Sequence, residues 1–409
     1  MFSLAVDFRI ASRNLRRNVR RTIVAVFTVA GGCVAFLLAG GFIAWIFDDM
    51  RESTIHSQLG HIQIVRPDYY EKGVADPYAY LLPAHSSEQK MVEQTNGFAG
   101  LAPRLAFSGL ASHGDISIAF IGEGVDPVRE RPISSRITVV SGHDLTDTGE
   151  PAVLVGEGLA QSLGVKPGDN VVLLVSSANG SPNAIEVKLA GTFATISKEY
   201  DDNALRLPIN LARKLMRVDG ATSWVMLLQR TEQTAESVDR LRADLPANNF
   251  QVIPWNDLAD FYNKTVVLFS KQVSVVKFII GVIIVLTISN TQMMNVLERT
   301  SEIGTSLAIG QRRKFIMRLF LAEGVLIGFA GGIVGLAVGY LLATLISVVG
   351  IPMPPPPGMA RGYIGQILIN ASLAGEAMML ALVTTLLASI LPAWKASRMS
   401  IVDALRHNQ

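Results

Sequence analysis

Four stretches of this chain carry no charged residue: Thr22–Phe47, Phe278–Leu297, Gly324–Ala360 and Ala377–Trp394. A helix needs about 20 apolar residues to cross a hydrocarbon core, and each stretch is near or above that length. Pro352 and Pro354–Pro357 lie inside the third, so its helix is predicted to stop near Gly350. The rest of the composition agrees. Only 17% of residues are charged, 49% are hydrophobic and the mean hydropathy is +0.35, whereas charged residues make up near a quarter of ordinary soluble proteins. The chain is therefore expected to be a membrane protein with four transmembrane α-helices, rather than a large soluble protein with buried core helices. Thr22–Phe47 is much longer than the h-region of a signal peptide, and no small-residue cleavage site precedes a soluble segment, so it reads as a retained anchor.

Charge sets the expected orientation. Met1–Arg21 holds six arginines against Asp7. The piece between the second and third spans has Arg299, Arg312, Arg313, Lys314 and Arg318 against Glu298 and Glu302. The tail adds Lys395, Arg398 and Arg406 against Asp403. These three pieces carry 14 basic and 4 acidic residues, and everything else carries 22 basic and 30 acidic, so the overall +2 hides a strong split. By the positive-inside rule both termini and the linker face the cytoplasm, and the large segment after the first span lies outside. This accounts for the basic clusters without nucleic acid as a partner.

The expected order follows. An amphipathic cytoplasmic helix (1–21) precedes the first span (22–47), and an extracytoplasmic α+β domain (48–270) precedes the second (272–297). A short cytoplasmic helix and linker (298–318) lead to the third span (319–350). A Pro-rich external loop (351–375), a fourth span (376–394) and a cytoplasmic tail (395–409) complete the chain. In Met1–Arg21 the apolar positions Phe2, Val6, Phe8, Ile10, Leu15 and Val19 leave the arginines to other faces, which suits a helix lying along the membrane surface. In the external domain "HIQIV" and "ISIAFI" alternate as half-buried strands do. "NVVLLVSSANGSPNAIEVKLAG" reads as two strands about a turn. "GEGLAQSLGV", "INLARKLMRV" and Thr234–Leu245 read as short helices. The one cysteine, Cys33, sits in the first span, so no intramolecular disulfide supports the domain.

Nothing in the sequence resembles an active site, and no catalytic residue is assigned. There is no Walker A motif and no Gly-Lys dipeptide, no HExxH and no CxxC. His56 and His61 are the closest histidines, but their spacing does not place both on one helical face, so no metal site is expected. Gly122-Glu-Gly124 and Gly156-Glu-Gly158 read as turns, and Asp48-Asp49 and Asp201-Asp202 as solvated surface.

The spans say more. Gly324, Gly328, Gly331, Gly332, Gly335 and Gly339 line the third, several of them four apart, which predicts close packing against a neighbouring span. Ser289, Asn290, Gln292 and Asn295 make the inner end of the second span polar and are expected to bond between helices, while Glu323 pairs with a nearby arginine or reaches the interface. In the linker, Glu302–Gly310 can form about two helical turns, with Ile303 and Leu307 on one face and Gly310 as a stop. Small Gly304, Ala308 and Gly310 beside exposed isoleucines suit docking against a cytoplasmic protein, with Arg312–Arg318 as a basic interfacial anchor.

These residues carry a resemblance. "NVLERTSEIGTSLAIGQRRKFIMRLFLAEGVLIGFAGGIVG" is similar to the signature of the FtsX/MacB/LolC–LolE permease family, an E-I-G-x-x-x-A-x-G helix followed by E-G and a glycine-rich span. "LPAWKASRMSIVDALR" resembles its C-terminal pattern, with Ser400 where proline is common; Ser400 can instead cap a tail helix with Asp403. "LVGEGLAQSLGVKPGDNVVL" and "TFATISKEYDDNALRLPINLARKLM" resemble its extracytoplasmic core, and "LGHIQIVRPDYY" the opening of lipoprotein-release-type permeases.

The resemblance implies a type VII, mechanotransmission ABC transporter permease with four spans and a MacB/FtsX-like α+β domain after the first. It implies that Glu302, Ile303, Gly304, Leu307, Ala308 and Gly310 form a coupling helix in the groove of an ABC ATPase. MacB carries its ATPase ahead of the first span, and only about twenty residues stand there in this chain, so the ATPase dimer, which binds ATP and Mg, is expected as a separate partner. This chain is expected to hold no cofactor of its own and not to be an enzyme. Further implied partners are a second permease, identical or homologous, membrane lipids, and a lipoprotein carrier or periplasmic adaptor. The implied location is the bacterial inner membrane. The implied function is ATP-driven release of lipoprotein or lipid-like cargo on the periplasmic side; the alternatives are an efflux permease driving an adaptor and outer-membrane duct, and signalling to a cell-wall hydrolase. Acyl chains would lie against Phe42, Ile43, Ile46, Val275 and Ile279.

Overall fold

The structure, a computed structural model, describes residues 2–84, 86–146, 150–354 and 362–399, with side chains from Val6 onward. Along the chain, α1 (Phe2–Arg17) and α2 (Val19–Thr54) are followed by a π-helical turn, Ile55–Leu59, and β1 (Ile62–Val65). Then come α3 (Ser87–Glu93), β2 (Phe98–His113), β3 (Ile116–Val125), β4 (Thr138–Gly142), β5 (Ala152–Gly156) and α4 (Glu157–Leu163). Next are β6 (Asn170–Ser176), β7 (Pro182–Ala194), α5 (Lys198–Asp201), β8 (Ala204–Pro208), α6 (Ile209–Met216), β9 (Ser223–Leu228), α7 (Thr234–Asp244) and β10 (Gln251–Pro254). The last part holds α8 (Trp255–Leu258), α9 (Asp260–Glu298), α10 (Thr300–Ala308), α11 (Arg313–Val349), the paired strands β11 (Ile351–Met353) and β12 (Tyr363–Gly365), and α12 (Ala371–Ser397). The C-terminal pattern beyond Met399, with Ser400 and Asp403, lies outside the described residues.

Two compact units result. One comprises Met1–Phe47, Val266–Pro352 and Ile364–Gln409; the other comprises Asp48–Thr265 and Met353–Tyr363. The first is helical, and α2, α9, α11 and α12 are each long and apolar enough to cross a membrane. Its packing follows from the glycines of α11, which form two stripes. β-Carbons built at Gly324, Gly328 and Gly332 would run into Ser389, Thr385 and Met378 of α12. Those built at Gly331, Gly335 and Gly339 would run into Val29, Cys33 and Leu37 of α2. Small residues on α11 thus let two helices approach it at once, where dispersion rather than water exclusion must hold them. Thr384, Thr385 and Ser389 of α12 return their hydroxyls to carbonyls four residues back, at 2.6–2.8 Å, so polar side chains enter this contact already paired. Gln292 of α9 donates to Ser389 Oγ at 2.8 Å in the buried interior. Asn370 caps α12 by accepting from the Leu373 amide at 2.8 Å. Gly350, at φ +75°, ends α11 before the prolines.

The second unit is built on a ten-stranded mixed sheet in the order β10-β1-β9-β2-β3-β8-β5-β7-β4, with β6 pairing β2 and β7. Strand β2 is long enough to serve two cores. Phe98–Arg104 pairs with β9, and Gly109–Ser112 pairs with β6. The core around β1, β9 and β10 buries Trp224, Ile62, Ile64 and Leu82 with Val238 and Leu241 of α7. The other buries Leu105, Phe107, Val155, Val171, Leu173 and Leu205 under α4 and α6. Strand β6 alternates strictly between exposed and buried residues, as one-faced strands require.

Three local expectations are corrected. β1 is buried along its whole length rather than on one face; it is sandwiched between β10 and β9, and Gln63 is accommodated by donating to the Leu59 carbonyl at 3.1 Å and accepting from the Tyr70 hydroxyl. Gly122 and Gly124 lie within β3, not in a turn, and their lack of a side chain leaves room for Phe107 and Ala212. Asp201 is 2% exposed rather than solvated. It accepts from the Thr195 amide and hydroxyl, and burial raises its carboxyl above the ordinary value against those hydrogen bonds.

Candidate functional site

The linker between α9 and α11 folds as α10, and Gly310, at φ +97°, gives the left-handed turn that ends it. Its apolar face points inward. Ile303 and Leu307 are 4% and 9% exposed and pack with Val296, Ile316, Phe320, Ala393 and Ala396. Gly304 is buried too. This corrects the expectation that Ile303, Gly304 and Leu307 belong to an outward docking surface: a helix laid on a bundle buries its apolar stripe in its own chain first. The face left outward consists of Glu302, Thr305, Ala308, Ile309 and Gly310, with Ile309 80% exposed.

Ion pairs fix α10 in place. Glu302 accepts from Arg17 of α1 and, at 3.2 Å, from Arg299 Nε. Burial works against its charge, but these two arginines outweigh it and hold the carboxyl below the ordinary value. Arg299 also reaches Glu323 Oε1 at 3.0 Å and lies over the Phe320 ring. Glu323, 3% exposed, receives a second hydrogen bond from Asn14 Nδ2 at 2.9 Å. Arg21 grips both carboxylate oxygens of Glu298, and Arg318 pairs with Asp7. Arg312, Arg313 and Lys314 stay exposed. The contribution of α1 and of the start of α2 escaped sequence reasoning, because no local spacing relates Asn14 and Arg17 of α1 or Arg21 of α2 to residues about three hundred positions away.

The family model for the MacB-like periplasmic core domain matches residues 22–244, and that for the FtsX-like permease C-terminal region matches 274–401, which includes α10. The chain belongs to the FtsX/MacB family of ABC transporter permeases. Its relatives include an ABC transporter permease of Methanocaldococcus jannaschii, 25% identical over 68% of each chain. The lipoprotein-releasing system transmembrane protein LolC of Neisseria meningitidis is 22% identical across the full length of both chains. The macrolide export ATP-binding/permease protein MacB of Rhodospirillum rubrum is 26% identical over 98% of this chain and 60% of its own. The four long apolar helices of this permease are accordingly its transmembrane helices, and the domain inserted after the first is of the MacB periplasmic type.

The apolar residues expected to line a cargo cavity divide by helix. Ile46 of α2 is buried and Phe42 and Ile43 are half-buried, Phe42 against Gly365. Val275 and Ile279 of α9 are 58% and 51% exposed. The permease's α9 buries only Ile284, Ile288, Gln292 and Val296, all toward its C-terminal half, so its other half presents a long open apolar face. Lys277 and Glu376, which pair at 2.9 Å between α9 and α12, were not singled out by sequence because each stands just outside an uncharged run.

Among the described residues no three His, Cys, Asp or Glu side chains gather as a metal site. The His56 and His61 rings lie edge to face, 5.9 Å apart. His61 Nδ1 accepts the Leu228 amide at 3.1 Å, so its proton sits on Nε2, 3.0 Å from Thr231 Oγ1. Burial, with His56 beside it, lowers the His61 pKa to about 4.

Proposed function

We propose that this permease takes the stroke of a separate pair of ABC ATPases through α10 and uses it to release lipoprotein or lipid-like cargo from the inner membrane on the periplasmic side. The observation that carries the reading is the alignment with LolC along the whole of both chains. The lack of any Gly-Lys dipeptide supports placing ATP and Mg on a partner. The basic clusters in α1, the α10–α11 linker and the tail support a cytoplasmic position for both termini and α10. Glu302, Thr305, Ala308 and Ile309 then form the docking face. Closure of the ATPases presses on α10, and because α10 is packed and ion-paired to α1, α9, α11 and α12, the bundle moves with it. A second permease, identical or homologous, faces the open side of α9, where Val275 and Ile279 meet acyl chains, and a periplasmic carrier receives the cargo.

The match to MacB along 98% of this chain favours a second reading, an efflux permease that drives a periplasmic adaptor. Depletion of the chain followed by membrane fractionation separates the two. Cargo release predicts lipoproteins stranded in the inner membrane. Normal lipoprotein sorting with heightened macrolide sensitivity contradicts it and supports efflux, and division or wall defects alone would point to signalling.

A further inference from the structure

The inserted domain gathers four charged side chains in one place, three of them buried and the fourth half-buried. Arg104, Arg206 and Glu130 are 4%, 2% and 4% exposed, and the Glu123 side chain is 20% exposed. Arg104 holds Glu130 through two bonds, Nη2 to Oε1 at 2.5 Å and Nε to Oε2 at 3.2 Å. Arg206 Nη2 lies 3.0 Å from Glu123 Oε2, and its Nη1 donates to Ser134 Oγ at 2.8 Å, which in turn donates to Glu130 Oε1 at 2.6 Å. Two positive and two negative groups balance. Burial opposes the charge on Glu123, but Arg104 and Arg206 keep its carboxyl below the ordinary value. Groups so desolvated gain little net stability over apolar residues of the same shape, so a role beyond stability is worth seeking.

The donors the carboxylates leave over supply that role. Arg206 Nη2 also donates to the Ser57 carbonyl at 3.1 Å, and Arg104 Nη1 donates to the Gln58 carbonyl. Both carbonyls belong to the π-helical turn that continues α2. The last carbonyls of a helix lack intrahelical partners and carry partial negative charge, which two guanidinium groups satisfy. The strands that supply them matter as well. Arg104 sits on β2 where that strand leaves β9, and Glu123 and Arg206 stand opposite each other on β3 and β8, in the part of the sheet that carries the α4/α6 core. The apolar side of the same helix tip, Ile55, instead packs on Ala102, Val225 and Leu227, toward the β1/β9/β10 part.

We propose that Arg104, Glu123, Glu130 and Arg206 are positioning residues that lock the tip of the first-span helix to the α4/α6 part of the domain, so that the two move as one body when ATP drives the permease. This rests on the permease reading. The test uses the full-length permease purified with its ATPase in nanodiscs, with spin labels at Thr54→Cys and Lys214→Cys; Cys33 is buried and stays unlabelled. With the cluster intact, the distance between the labels is expected to be the same with and without trapped ATP. In the charge-balanced variant Arg206→Gln/Glu123→Gln the distance is expected to broaden and become nucleotide-dependent, while ATP hydrolysis continues. A nucleotide-dependent distance in the intact protein overturns the proposal, as does a variant whose distance stays sharp and unchanged. If that variant does not fold, Arg206→Lys, which keeps the charge but lacks the planar group that reaches both Glu123 and the Ser57 carbonyl, takes its place with the same expected and overturning outcomes. A preparation that contains no ATPase fails earlier and contradicts the permease reading itself.

Discussion

A β-carbon added at Gly335 would lie 2.6 Å from Cys33 Cβ and 3.0 Å from the Ala30 carbonyl oxygen. Neither atom is the end of a flexible side chain, so α2 and α11 would have to separate. Gly335→Ala is therefore expected to destabilise the detergent-solubilised chain by roughly 1–3 kcal/mol, the usual cost of overpacking. Gly375→Ala, with nothing within 4 Å of the new atom, is the matched control and should leave the thermal midpoint unchanged or slightly raised. The glycine spacing was legible in the sequence, but the division into one stripe for α12 and another for α2 needed the helices in place. His61 gives a prediction in pH. Its folded pKa of about 4 lies below the ordinary 6.5, so between those values the unfolded chain binds the extra proton. Stability is full above pH 6.5 and falls toward pH 4, by about 3 kcal/mol. Denaturant titration at neutral and acidic pH should show this slope for the native residue and a flatter one for His61→Asn.

At the scale of elements, α10 separates what its residues spell from what they do. Its existence, length and glycine stop were readable, because a short amphipathic run between two spans has few other conformations open to it. Which face meets a partner was not readable, because periodicity identifies an apolar stripe without saying whether the chain itself covers it. Ile303→Asp would place a charge in the Val296–Phe320–Ala393 cluster and is expected to cost on the order of 4 kcal/mol, seen as loss of folded protein. Gly304 is buried alongside it, so a bulky residue there reports on folding, not docking. Ile309→Glu, on the open face, should leave the stability within ~0.5 kcal/mol of the parent while abolishing capture of the ATPase. If ATPase capture survives Ile309→Glu, the outward face of α10 is not the docking surface.

For the whole molecule, uncharged runs and charge asymmetry were enough to read a four-span architecture with one large inserted domain, since a bilayer penalises every alternative so heavily. The buried joint at Arg104, Glu123, Glu130 and Arg206 was invisible, because its members are scattered over about a hundred residues and look like ordinary surface charges until the sheet brings them together. The ties from α1 to α10 were hidden for the same reason. On the proposed reading, this permease receives an ATPase stroke on α10. Native mass spectrometry of the complex extracted from its own membranes tests it most directly. Two permease chains bound to two ABC ATPase subunits are expected, with the ATPases lost when Ile309 is replaced by glutamate. A permease that emerges with no ATPase bound, or keeps its ATPases despite that substitution, would contradict it.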